Sequence, residues 1–220
     1  MNPSQRLSLW LRWVGANALA ELVGLGATFA IDFLIISQSP GSVVSILLVT
    51  ASGAIEGSMV GLLQWLVLRR PFPGIARRAW ILATIVGALV AWFFGSLPST
   101  VIDMGAQQSS EEVQEPSAAV VLLLAAGMGL VLGVVLAYPQ WRVLRRVVTR
   151  AWIWLPANAI AWAFGMAIIF AAMDLAFNQA STSGSLAVIA GALLLAGGVV
   201  GAVHGLALVR LASEAHAGSG

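Results

Sequence analysis

The chain has 220 residues, of which 60% are hydrophobic and 9% charged, and its formal net charge is +2. Ordinary soluble domains carry about 25% charged residues, so this composition cannot cover a soluble surface. There is no cysteine and all eleven basic residues are arginine, which excludes disulfides, thiolate metal sites, cysteine nucleophiles and lysine Schiff bases.

Six apolar runs of about the length that spans a bilayer predict an all-α integral membrane bundle, with helices at 9–36, 43–68, 79–97, 117–141, 151–177 and 184–209. The first run is too long for a cleavable signal peptide and no small-residue cleavage pattern follows it. It carries Asn17 and Glu21 and ends at the turn "SQSPG" (37–41). The second carries Ser52 and Glu56 and closes with "GLLQWLVLRR" (61–70), followed by the Pro-Gly breaker "RRPFPGIARR" (69–78). The third leads into an acidic segment, 98–116, with Asp103, Glu111, Glu112 and Glu115. The fourth ends "AYPQWRVLRR" (137–146), nearly repeating the second. The fifth contains "WLPANAIAWAFG" (154–165), and the sixth is glycine-rich and ends "LALVRL" (206–211).

With this helix order every arginine falls on one side, together with both termini, and the acidic loop falls on the other. The arginine bias places the termini in the cytoplasm of a bacterial cytoplasmic membrane. Such clusters signal topology rather than nucleic-acid binding.

The similar helix endings belong to a longer internal repeat. A shift of 76 residues superposes Gly53, Gly57, Gly61, Gln64, Trp65, Arg69 and Arg70 on Gly129, Gly133, Ala137, Gln140, Trp141, Arg145 and Arg146. Helix 6 keeps the glycines at Gly197, Gly201 and Gly205 but lacks Gln-Trp and the paired arginines. Among the odd helices, Trp13, Asn17 and Gly24 match Trp154, Asn158 and Gly165, and "AWFFG" (91–95) matches "AWAFG" (161–165). Three parallel hairpins result, about 9–70, 78–146 and 150–212, related by pseudo-threefold symmetry about the membrane normal. Glycine every fourth residue permits close backbone approach. The expected arrangement packs helices 2, 4 and 6 centrally by their glycine faces and turns the tryptophan-rich helices 1, 3 and 5 toward lipid.

The string Gly-x-x-x-Gly-x-x-x-Gly-x-x-Gln-Trp-x-x-Leu-Arg-Arg, with a following "AW…W..G" helix, resembles a group of uncharacterised bacterial multi-pass membrane proteins. The resemblance implies fold and location and no activity.

Acids inside a membrane helix cost about 2.5–3.5 kcal/mol on insertion scales and mark candidate sites. Glu21 and Glu56 lie symmetrically about the first turn, which predicts nearly equal depth near the midplane. They align with Trp162 and Trp92, and with Leu132 and Val200, so they are additions to one copy of the repeat. A shared cavity would make them a cation or proton site; dry packing would make them polar glue. Asn17, Asn158, Gln64 and Gln140 form a second polar layer nearer the arginines, read as structural. His204 follows no repeat and is a candidate hydrogen-bond partner. No metal or cofactor is expected, because the other histidine, His216, lies in the tail. Asp32 and Asp174 are expected to reach water at the outer helix ends. Pro139 and Pro156 lie near helix ends, where a kink or a start is cheap.

No enzyme signature is present. Ser52 and His204 lie toward opposite sides of the membrane, which separates them too far for a catalytic dyad. The leading expectation is a non-catalytic membrane scaffold or accessory protein. The alternatives are a small transporter or channel using Glu21 and Glu56, and a lipid-binding protein whose Arg69, Arg70, Arg145 and Arg146 hold anionic headgroups. The bilayer is the expected partner, and a protein partner or a homo-oligomer is left open.

Overall fold

The computed structural model describes residues 1–38, 41–106 and 116–217, and side chains are described for these except Ser42 and residues 98–106. The acids Asp103, Glu111, Glu112 and Glu115 therefore lie outside the described side chains. Every regular element among the described residues is helical. Six helices are long and apolar enough to cross a membrane, and the chain is a multi-pass membrane protein. They are α1 (Pro3–Ser37), α2 (Ser42–Leu68), α3 (Arg77–Ala106), α4 (Ala118–Leu144), α5 (Trp154–Phe177) and α6 (Thr182–Ala217).

Helix ends differ from the expected ones for local reasons. The first helix starts at Pro3 because Asn2 caps it: its side chain accepts from the Gln5 amide, and the Gln5 side chain accepts in return from the Asn2 amide. α3 runs on to Ala106 into the segment expected to be a loop. α6 runs past its apolar stretch to Ala217, where Glu214 pairs with Arg150 and Arg210 at 3.2 and 3.3 Å. Both arginines are more than half exposed, so these pairs contribute little.

The extensive interhelical contacts run in chain order, α1 to α2 and onward to α6, and α6 closes on α1. The expected core of even helices packed glycine to glycine is not formed. Instead each even helix lays its glycines on the odd helix that follows it around the ring. A Cβ at Gly57 would lie 2.8 Å from Ile85 Cα on α3, one at Gly133 would lie 2.5 Å from the Asn158 carbonyl oxygen on α5, and one at Gly197 would lie 2.7 Å from the Asn17 carbonyl oxygen on α1. Gly87 of α3, which no repeat had singled out, meets the Leu136 carbonyl of α4 in the same way.

The tryptophans also turn the other way from expectation. Trp13, Trp80 and Trp154 are fully buried and meet edge to face near the ring's axis, with centroids 5.9 and 6.2 Å apart. A closed ring of six helices leaves axial space that only large side chains fill. Indole suits it because its rings pack while its N–H can bond, as those of Trp13 and Trp154 do, whereas Trp80 Nε1 is buried without a partner among the described residues. Leu68, Leu144 and Leu208 complete this core. Lipid is met by aliphatic and phenyl side chains such as Phe33, Leu123 and Phe177, at 74%, 73% and 80% exposure.

The repeated Gln-Trp-x-x-Leu-Arg-Arg is thereby resolved residue by residue. Gln64 and Gln140 point inward, Leu68 and Leu144 join the core, and the guanidinium groups of Arg69 and Arg145 stack on Trp65 and Trp141 at 5.6 and 5.0 Å from the ring centroids.

Candidate functional site

Near the arginine-bearing end the interior is polar but closed. Gln64 Nε2 donates to Asn17 Oδ1 at 2.8 Å. Gln140 Nε2 donates to Gln64 Oε1 at 3.2 Å and to Thr84 Oγ1 at 2.9 Å, and Trp154 Nε1 donates to Gln140 Oε1 at 3.0 Å. One chain of bonds thus ties α1, α2, α3, α4 and α5 together. His204 of α6 packs against Trp13 and Trp154, and its Nδ1 accepts from Trp13 Nε1 at 2.7 Å. Of the polar layer read from the sequence, Asn158 alone stays apart from the network: its amide donates to the Trp154 carbonyl of its own helix at 2.8 Å. Thr84 was not anticipated. It also donates to the Trp80 carbonyl, and a lone threonine in an apolar helix gives no signal of its role.

Toward the opposite end the interior opens. A cavity of about 350 Å³ is lined by residues of α1 to α5. Its wall is apolar and aromatic, with Phe29, Trp92, Trp162, Phe170, Met128 and Met166, and it presents two acids, Glu56 and Asp32. Glu56 Oε2 accepts from Trp92 Nε1 at 2.6 Å, and Asp32 Oδ1 accepts from Ser52 Oγ at 2.6 Å. Asp32 does not reach water as expected: at 7% exposure it is buried, because the α1–α2 register brings Ser52 to it. Asp174 is exposed.

Glu21 is buried at 2% exposure but does not line the cavity. Its side chain lies against Gly197 of α6, where a Cβ would come within 2.7 Å of Glu21 Cγ, and its Oε2 is buried with no hydrogen-bond partner. Glu56 has Glu21 and Asp32 as electrostatic neighbours. The two glutamates expected to share one environment therefore divide. Glu56 faces the cavity and Glu21 packs behind it against glycine.

Local structure explains the division. The α1–α2 register pairs Asn17 with Gln64, Gly24 with Glu56 and Thr28 with Ser52, whose carbonyl accepts from Thr28 Oγ1. Glu56 is thus level with Gly24, and Glu21 lies about 4.5 Å nearer the arginine end at 1.5 Å of rise per residue. Glu21 also opens a π-helical turn, Glu21–Leu25, closed by the Gly26 amide on the Glu21 carbonyl. Such single-turn bulges recur at functional sites. Among the described residues no three or more His, Asp or Glu side chains are placed to hold a metal ion.

The sequence marked Glu21 and Glu56 by their isolation in apolar helices. It missed Asp32 and Ser52 as partners. Trp92 had a signal, since it occupies on α3 the repeat position that Glu21 holds on α1.

Comparison of the chain with protein-family models, with curated proteins and with solved structures yields no match.

Proposed function

We propose that the chain is a small carrier for a lipophilic cation, which enters the intramembrane cavity and is held by Glu56 and Asp32. The observation that carries this reading is the pairing of two buried acids with an otherwise apolar, aromatic wall. A hydrophobic cation is stabilised there by carboxylate charge and by the ring faces of Phe29 and Trp92. Buried acids are costly in a membrane and mark binding or proton-relay sites. The carboxylates of Glu56 and Asp32 give the cavity two alternative occupants, a cation or a proton, which is the requirement for exchange. The closed polar and tryptophan layer beneath the cavity argues for alternating access over an open pore.

The wider setting belongs to the same proposal. Arginine asymmetry supports a bacterial cytoplasmic membrane with both termini inside. The recurrence of glycine-on-next-helix packing at Gly53 on Trp92, Gly129 on Trp162 and Gly197 on Glu21, three aligned positions, supports the pseudo-threefold repeat. No catalytic step is assigned.

The second reading is the scaffold. The bonded layer of Asn17, Gln64 and Gln140 favours it, as does the dry packing of Glu21 on Gly197. Calorimetric titration with benzyltrimethylammonium separates the two. In the carrier reading the wild-type protein binds this cation and Glu56→Gln lowers affinity at least tenfold without lowering the unfolding temperature. Unchanged binding in Glu56→Gln, or a wild-type protein that does not bind the cation while Glu56→Gln and Asp32→Asn fold normally, leaves the scaffold as the better account.

A further inference from the structure

We infer that the groove between α1 and α2 at the arginine-bearing end binds one anionic phospholipid, with its phosphate between Arg12 and Arg70. This site is separate from the central cavity and does not depend on the carrier reading.

The groove has a volume of about 1,410 Å³, and its character changes along its length as a phospholipid's does. The register that pairs Asn17 with Gln64 places Arg12 level with Arg69 and Arg70. Beyond that level α1 overhangs the end of α2, and Ser4, Gln5 and Ser8 of α1 and His216 of α6 share the lining with apolar residues such as Met1, Phe72 and Ala212. On the other side of the arginines, going into the membrane, the lining becomes Gly15, Ala16 and Leu19 on α1 and Leu63 and Leu66 on α2. A mixed polar and apolar mouth, then two cations, then an apolar track follow one another in the order of headgroup, phosphate and acyl chain.

The partners of the arginines, the lining of the groove and the space along it bear on this site. Arg69, Arg77 and Arg145 are stacked on tryptophans and Arg150 and Arg210 are paired with Glu214. Among the described residues Arg12 and Arg70 have neither kind of partner, as is true also of Arg6, Arg78, Arg142 and Arg146, but only Arg12 and Arg70 line this groove. Among the described residues no acid lines the groove. Gly15 is exposed, and a Cβ there would meet nothing within 4 Å, so the track is open at the depth of the first acyl carbons. An arginine near the surface adds about a fivefold preference for an anionic lipid.

The test is native mass spectrometry of the delipidated protein in detergent, titrated with dioleoyl phosphatidylglycerol or dioleoyl phosphatidylcholine. One phosphatidylglycerol per chain is expected to bind at least tenfold more tightly than phosphatidylcholine. Arg12→Gln with Arg70→Gln should erase that preference, whereas Arg145→Gln with Arg146→Gln should leave it. Gly15→Phe, which has room to fold, should lower phosphatidylglycerol affinity at least fivefold by filling the track with both arginines in place. Equal binding of the two lipids overturns the inference, as does a preference that survives the Arg12/Arg70 change. A Gly15→Phe variant that binds as the wild type does overturns it too, because charge alone would then account for the binding.

Discussion

Gly133→Leu is expected to lower the unfolding temperature by about 10 °C or to prevent isolation of the folded chain, whereas Gly127→Leu on the same helix is expected to change it little. A Cβ at position 133 would lie 2.5 Å from the Asn158 carbonyl oxygen and 2.9 Å from its carbon, while one at 127 would meet nothing within 4 Å. The obstructing atoms are backbone of α5 and cannot rotate aside, so α4 and α5 must separate along their length. Overpacking costs about 1–3 kcal/mol where side chains can yield, and here the upper end applies. In a chain of this size about 3 kcal/mol corresponds to roughly 10 °C. Lipid supplies no hydrophobic drive to compensate lost contact. Thermal unfolding followed by tryptophan fluorescence in detergent reads the difference. Equal melting of the two variants would show that the α4–α5 contact is not as close as described.

Gln140→Leu is expected to cost about 2–4 kcal/mol, against about 1 kcal/mol or less for Asn158→Ala. Leucine roughly conserves the volume, so the loss is polar. Gln140 holds Gln64, Thr84 and Trp154. After its removal Gln64 still donates to Asn17 and Thr84 still donates to the Trp80 carbonyl, so each of those two loses only one bond, about 0.6 kcal/mol. Trp154 Nε1 is left buried with no acceptor, which costs about 1–3 kcal/mol. Asn158 bonds only the Trp154 carbonyl of its own helix, so its truncation orphans nothing across an interface. Unfolding measurements on the two variants check the ranking, and a Gln140→Leu protein as stable as Asn158→Ala would mean the network does not couple the helices.

The helices and their membrane character were legible because the bilayer constrains single segments. About 20 apolar residues between breakers is a local property, and so is the crowding of arginine at alternate ends. The glycine ladder was equally plain, and so was the isolation of Glu21 and Glu56. What the glycines face was not. A stripe of Gly53, Gly57 and Gly61 says that some backbone comes close, and it says nothing of whether that backbone belongs to α4 or α3. Here it belongs to α3. The same ambiguity turned Trp13, Trp80 and Trp154 outward in expectation and inward in fact, since an indole suits both a lipid interface and a packed axis. The site divided along the same line. Hydropathy alone marked Glu21 and Glu56 as acids in apolar helices. Their separation into one acid that lines a cavity and one that lies behind it came from a helix register and a π-helical turn, and the addition of Asp32 came from its bond to Ser52. None of these leaves a mark on composition or period. The sequence by itself thus determined that six helices cross a membrane and which polar residues they carry into it. Only the tertiary structure decided which neighbours meet, because burial in lipid is a property of each helix and contact is a property of pairs.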